Sequence, residues 1–261
     1  MKILLTGPNG FVGHKLLTCC ENMVPCPSLR NADEDTVRRI VDRSGCDAIL
    51  HTAAISDIPT CDRMPEESRI ANVQLPVFLA RAAEGRKLVC FSSDQVYCGN
   101  RFEGPYTEAD TAPGNLYARQ KLEMEERVLD IDPNAVMLRA EWMYDYGAVR
   151  DNYLMNVLKG RLAYCPTQYR GVTYLQEVAD NIPAVMKLSG GAYNFGSETT
   201  RNMVDITNRL LEMLGQEPKA TCSDGDRHNL WMDCSKAAKQ GVAFSEVVEG
   251  LRHCLTDYKL I

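Results

Sequence analysis

Gly7-Pro-Asn-Gly10-Phe-Val-Gly13 follows directly on an apolar run at residues 2–6 and leads into a second, helical-looking stretch. This spacing constrains the fold more than any other feature of the chain. The backbone must leave a buried strand, turn sharply and start a helix within a few residues. Gly7 permits the tight turn, Gly10 lets backbone approach a pyrophosphate, and Gly13 allows close packing of helix on sheet. Such a turn aims the first N–H groups of the helix at an anion. A dinucleotide site is therefore expected here, with Gly7, Asn9, Gly10, Phe11, Val12 and Gly13 against the cofactor.

The rest of the N-terminal half alternates. Helix is expected over 11–20, a weak strand over 24–26 beside Pro25 and Pro27, and helix over 33–44 with Val37, Ile40 and Val41 on one face. Next come a strand at 48–52, a helix at 66–84 interrupted by Pro76, a strand at 88–91, a helix at 116–129 and a strand at 135–139. This rhythm specifies an α/β fold, a doubly wound parallel sheet of Rossmann type. Ligands of such sheets sit at the carboxyl ends of the strands. Gly7, Thr52-Ala53-Ala54, Ser92-Ser93 and Arg139-Ala-Glu141-Trp142 should then converge on one crevice. Beyond Tyr144 the rhythm loosens, with helices at 152–158 and 199–214, a glycine-bounded strand at 190–196 and a last helix at 245–255. Residues 1–145 are read as the NAD(P)-binding domain. Residues 146–261 are read as a small C-terminal substrate lobe that returns one or two elements to the sheet.

Tyr117 and Lys121 stand four apart on a helix and share a face. An ammonium beside a phenol favours the phenolate, which suits proton exchange with a carbonyl or alcohol. Ser93, after an apolar strand, can hydrogen-bond the same oxygen. Thr52, Ala53, Ala54, Asn72, Ser92 and Tyr117 complete the cofactor side, and Asn72 could also hydrogen-bond backbone nearby. Sites that prefer NAD carry an acid after the second strand. This chain has Ser28 and Arg30 there, which suit a 2′-phosphate, so NADP(H) is favoured and NAD(H) stays open. Trp142 either stacks on substrate or plugs the core between lobes.

Composition excludes other classes. Of 261 residues, 45% are hydrophobic and 25% charged, which is a globular balance. The net charge of −6 argues against a nucleic-acid partner. No run is long enough to span a membrane, and the N-terminus does not read as a signal peptide. The 11 cysteines include no CxxC pair and are read as reduced thiols of a cytoplasmic protein. His14, His51, His228 and His253 share no ligand spacing, so no metal is expected.

Taken together, these residues resemble the extended short-chain dehydrogenase/reductases, and among them the dTDP-4-dehydrorhamnose reductases. The resemblance rests on Thr6-Gly-Pro-Asn-Gly-Phe-Val-Gly13, Ala53-Ala54 with Asn72, and Ser92-Ser93-Asp94-Gln95-Val96-Tyr97. It continues in Pro105-Tyr106-x-Glu108, Tyr117-x-x-x-Lys121 and Leu138-Arg139-x-x-Trp142-x-Tyr144, with weaker echoes at Asn152-Tyr-Leu154 and in Gln168-Tyr-Arg-Gly-Val-Thr173. It implies a catalytic set of Ser93, Tyr117 and Lys121, with Lys121 also on the cofactor ribose. It puts Ser93, Asp94, Gln95, Tyr117 and Trp142 beside a sugar nucleotide. The implied reaction is reduction of a 4-keto group on a nucleotide-activated deoxysugar. Four positions depart from the pattern: Phe11 for the usual Gln, Gln95 for an aromatic, Cys98 for an acid, and Glu141 for a small hydroxyl residue. A sugar-nucleotide epimerase or dehydratase that retains its cofactor is one alternative, and a non-catalytic, nucleotide-binding regulatory subunit is another. A homodimer is compatible with all three.

Overall fold

The apolar runs of the N-terminal half lie side by side in a computed structural model that describes residues 1–147, 150–223 and 229–261. His228 falls outside the described residues. In chain order the strands are β1 (Ile3–Thr6), β2 (Met23–Pro25), β3 (Ala48–His51), β4 (Lys87–Ser93), β5 (Val136–Ala140), β6 (Trp142–Tyr144), β7 (Ala163–Tyr164), β8 (Val172–Tyr174), β9 (Gly191–Phe195) and β10 (Thr221–Cys222). The helices are α1 (Phe11–Cys19), α2 (Glu34–Ser44), α3 (Ile58–Arg63), α4 (Pro65–Arg69), α5 (Leu75–Ala83), α6 (Leu116–Ile131), α7 (Tyr153–Leu158), α8 (Leu175–Val185), α9 (Met203–Met213), α10 (Ser235–Ala238) and α11 (Val247–Asp257).

The main sheet has six strands in the order β2-β1-β3-β4-β5-β9. Every neighbouring pair is parallel. Strand order reverses between β1 and β3, and the crevice of a doubly wound sheet opens at such a point. β2 is a short edge strand, a position that tolerates Pro25. Two small parallel pairs, β6 with β8 and β7 with β10, lie outside this sheet.

Alternation along the strands builds a core on each face. Ile3, Leu5, Val89, Phe91 and Leu138 pack with Leu16 of α1 and with Val178 and Ile182 of α8. Leu4, Ile49, Leu88, Cys90 and Met137 pack with Val41 of α2, Leu79 of α5, and Met124 and Val128 of α6. The C-terminal lobe has its own core, in which Tyr144, Tyr153 and Val172 meet Leu210 and Leu251.

α3, β6, β7, β8, β10 and α10 were not expected from the sequence, and three further differences concern a proline or a strand end. The single helix at 66–84 is α4, a π-helical turn at Ile70–Gln74, and α5. Pro76 lacks an N–H and collides with the preceding turn, so α5 restarts with the proline in its first turn. β4 runs on to Ser93, which makes Ser92 and Ser93 the end of the strand. α8 carries Pro183 inside it and was not expected at all, because proline disfavours helix in a sequence reading.

Arg139 does not reach the crevice, contrary to the expectation. Strand parity puts it on the same face as Met137, against α6. There it pairs with Glu125 at 2.6 Å, with side chains 5% and 3% exposed. Its Nη1 donates to both the Tyr97 hydroxyl at 2.8 Å and the Glu108 carbonyl at 2.7 Å. Tyr97 donates onward to Asn194 on β9 at 2.6 Å, and Ser92 donates to Glu125. One buried ion pair thus ties α6 to β4, β5 and β9. Breaking such a pair leaves a buried charge uncompensated. Arg139→Met should cost about 3–5 kcal/mol in denaturant unfolding, and adding Glu125→Leu should recover much of that loss.

Candidate active site

The glycine turn is shaped by backbone contact. Gly7 adopts a φ of +67°, and a Cβ on it would lie 2.9 Å from the Cα of Ala53. A Cβ on Gly13 would overlap the Gly7 carbonyl, and the Gly10 N–H donates to that same oxygen at 2.9 Å. Gly10 is the N-cap of α1 and offers no capping side chain, so the first N–H groups of the helix are uncapped by it. Thr52 donates to the Thr6 carbonyl at 2.7 Å and clips β1 to the end of β3.

Two cavities of about 590 and 610 Å³ meet at this turn and share Gly7, Gly10, Ala53 and Ala54. The first is lined by Phe11, Val12, Gly13, Thr52, Ser92, Ser93, Asp94, Gln95, Tyr117, Lys121, Glu141 and Trp142. The second is lined by Asn9, Ser28 and Arg30, and residues 26–32 contribute no carboxylate to it. Asn72 lines neither. It is fully buried on the π-helical turn, where its amide oxygen accepts the Ile55 N–H at 2.9 Å and its nitrogen donates to the Ile55 carbonyl at 3.0 Å. Its role is to hold the backbone beyond Ala54, braced from behind by Gln120 at 2.9 Å.

α6 brings Tyr117 and Lys121 to the wall of the first cavity. Asn115 caps this helix by accepting the Ala118 N–H at 2.8 Å, and its own amide donates to Gln95 at 3.1 Å. Ser93 donates to the Asp94 carboxylate at 3.1 Å and accepts the Gln95 N–H at 3.2 Å, beside Tyr117 on the same wall. Burial pushes the Tyr117 phenol well above its ordinary pKa, and neighbouring Ser93 offsets only part of this. The Lys121 ammonium donates to the Phe91 carbonyl at 2.8 Å and lies 5.9 Å from the Tyr117 ring centroid. Burial brings the pKa of Lys121 down to about 8. Burial favours the neutral phenol of Tyr117, the state in which it can give a proton away.

The far wall holds two side chains that the sequence reading did not place in the site. Arg170 forms a 2.6 Å ion pair with Asp94, and its guanidinium lies 5.3 Å above the Trp142 ring. Among the described residues the buried Nε of Arg170 has no partner. Arg150 lies 5.4 Å from the Phe11 ring and also lines the first cavity. Trp142 is half-buried, with its ring edge-on to Tyr153 at 5.5 Å. It belongs to the cavity wall and to the edge of the lobe core at once.

The RmlD substrate-binding domain model matches residues 1–224. The chain belongs to this family. A dTDP-4-dehydrorhamnose reductase of Mycolicibacterium smegmatis is 30% identical over 252 residues, 87% of this chain and 74% of that protein. The Danio rerio methionine adenosyltransferase 2 subunit beta is 31% identical over 160 residues, 55% of this chain and 48% of that protein. The crystal structure of the Bacillus anthracis dTDP-4-dehydrorhamnose reductase, in complex with NADP, superposes with a TM-score of 0.87 at 19% identity, covering 98% of this chain and 99% of that one.

Within this RmlD-type frame, the glycine turn fits a dinucleotide. Its three glycines leave backbone bare where a Cβ would intrude, and the uncapped start of α1 suits a pyrophosphate. Gly13→Ala should therefore abolish cofactor binding by displacing the Gly7 carbonyl. Loss of NADPH fluorescence enhancement on titration, with the far-ultraviolet circular dichroism retained, would register it.

Proposed function

We propose that this chain is an NADPH-dependent reductase of a 4-keto group on a nucleotide-activated deoxysugar. The observation that carries this reading is the meeting of Ser93, Tyr117 and Lys121 on the wall that adjoins the glycine turn. Gly7, Gly10, Phe11, Val12 and Gly13 would hold the pyrophosphate half of the cofactor. Thr52, Ala53 and Ala54 would flank it, and Lys121 would reach its ribose. Ser28 and Arg30 would receive a 2′-phosphate, which favours NADPH over NADH. The NADP found with the Bacillus anthracis relative supports that preference. Bound there, NADPH supplies a hydride to the ketone carbon.

This chain's own residues manage the oxygen. Ser93 hydrogen-bonds it, and Tyr117, kept protonated by burial, gives it a proton as negative charge develops. Asp94, Gln95 and Trp142 form the wall nearest the sugar, with Arg170 paired to Asp94. A cytoplasmic setting accords with the 11 free thiols.

The deciding assay is oxidation of NADPH with a dTDP-4-keto-6-deoxysugar. Tyr117→Phe should lower kcat on the order of 10²–10⁴-fold with cofactor affinity nearly intact. Near-normal turnover in that variant would remove Tyr117 as proton donor. Arg30→Ala should weaken NADPH binding by roughly 1.5–3 kcal/mol and leave NADH unchanged, since only a 2′-phosphate uses the lost hydrogen bond. Equal losses for both cofactors would take Arg30 out of that role. The similarity to a methionine adenosyltransferase subunit motivates a second reading, a nucleotide-binding regulatory subunit. Nucleotide binding with no turnover of any keto sugar would favour it.

A further inference from the structure

Glu141 is 6% exposed on the wall of the first cavity. Its carboxyl group is built into the fold. A Cβ on Gly171 or on Gly196 would fall inside it, so two bare backbone segments enclose it. The Thr173 hydroxyl and the Ser197 N–H, the latter at 2.8 Å, both donate to Oε1. Both hydrogen bonds given to Glu141 by described residues thus fall on Oε1, while Oε2 accepts none from them and lies beside the Gly171 backbone at the cavity wall. β5 ends at Ala140, which is in register with Ser93 on β4. Glu141 follows at once and therefore flanks the reactive serine.

We propose that Glu141 is a specificity-determining residue that hydrogen-bonds an oxygen of the bound sugar through Oε2. This inference rests on the reading of the cavity as a sugar-nucleotide site. The surroundings favour the neutral form. Asp94 faces the group from the turn after β4, and the Cys234 thiol faces it from the segment before α10. Arg170, ahead of β8, is the opposing cation, and its guanidinium is already committed to Asp94. Burial is the largest influence and pushes the Glu141 carboxyl up to about 8. A neutral carboxyl can both accept at Oε1 and donate at Oε2, which a carboxylate cannot. A serine in its place would be too short to span the same gap while holding Thr173 and Ser197.

The test is calorimetric binding of a dTDP-deoxysugar, and of dTDP alone, to wild type, Glu141→Gln and Glu141→Ser. For wild type, affinity for the dTDP-deoxysugar should fall roughly tenfold from about pH 7 to about pH 9, as the donor proton is lost. Affinity for dTDP alone should not follow this fall. Glu141→Gln keeps a neutral donor and should hold its sugar affinity across the same range. Glu141→Ser should bind the sugar ligand weakly at both pH values. An equal fall in wild type and Glu141→Gln would assign the effect to another group, such as Lys121, and overturn the inference alone. So would an equal fall for dTDP and its sugar derivative. Failure of wild type to bind either ligand would overturn the sugar-nucleotide reading, and this inference with it.

Discussion

The buried Arg139–Glu125 pair sets the geometry on which the reactive residues depend. Glu125 is on α6, one helical turn beyond Lys121, and Arg139 is on β5, beside the strand that ends in Ser93. The pair therefore fixes the helix carrying Tyr117 and Lys121 against the strand carrying Ser93. Two charges removed from water on this scale stabilise little by themselves. Their directional hydrogen bonds to Tyr97, Glu108 and Ser92 admit a single register of helix on sheet. A proton donor and a hydroxyl that must reach the same oxygen need that register more than they need net stability.

The cofactor side is organised by a different means, the absence of side chains. Gly7 and Gly13 admit close backbone approach between β1, α1 and the end of β3. Asn72 then fixes the backbone beyond Ala54 through the oxygen and the nitrogen of its side-chain amide. The π-helical turn that presents Asn72 is where Pro76 forces the helix to restart, so a local defect puts a buried polar group to use.

How much of this was legible in the sequence depended on how local each signal was. The glycine turn, the alternation of strand and helix, and the Tyr117–Lys121 spacing are decided within a few residues, and the parallel sheet follows from them. Arg139 was misplaced because proximity to a strand end does not say which face a side chain takes, and its partner Glu125 is on another element. Asn72 was expected to bond backbone near the site and does so, but from behind the cavity wall. Arg170 gave only a faint signal in Gln168–Thr173, since its meaning depends on Asp94, 76 positions away. Glu141 stood out as a departure, but its enclosure by Gly171 and Gly196 needed three dimensions. α8 was missed because Pro183 argues against a helix that tertiary packing nevertheless sustains.

The path of the chain has a consequence for how the molecule folds. It leaves the main sheet after β5, builds part of the lobe with β6 to β8, and returns through α8 and β9 before finishing the lobe with α9 and α11. No single cut separates sheet from lobe. β9 pairs with β5, and the third core draws on residues from Tyr144 to Leu255. The two parts are interleaved, so neither can complete its core before the other has begun. Cooperative unfolding in one step is the expected behaviour, and the long sequence separation of the pairing strands makes the search for that state slow.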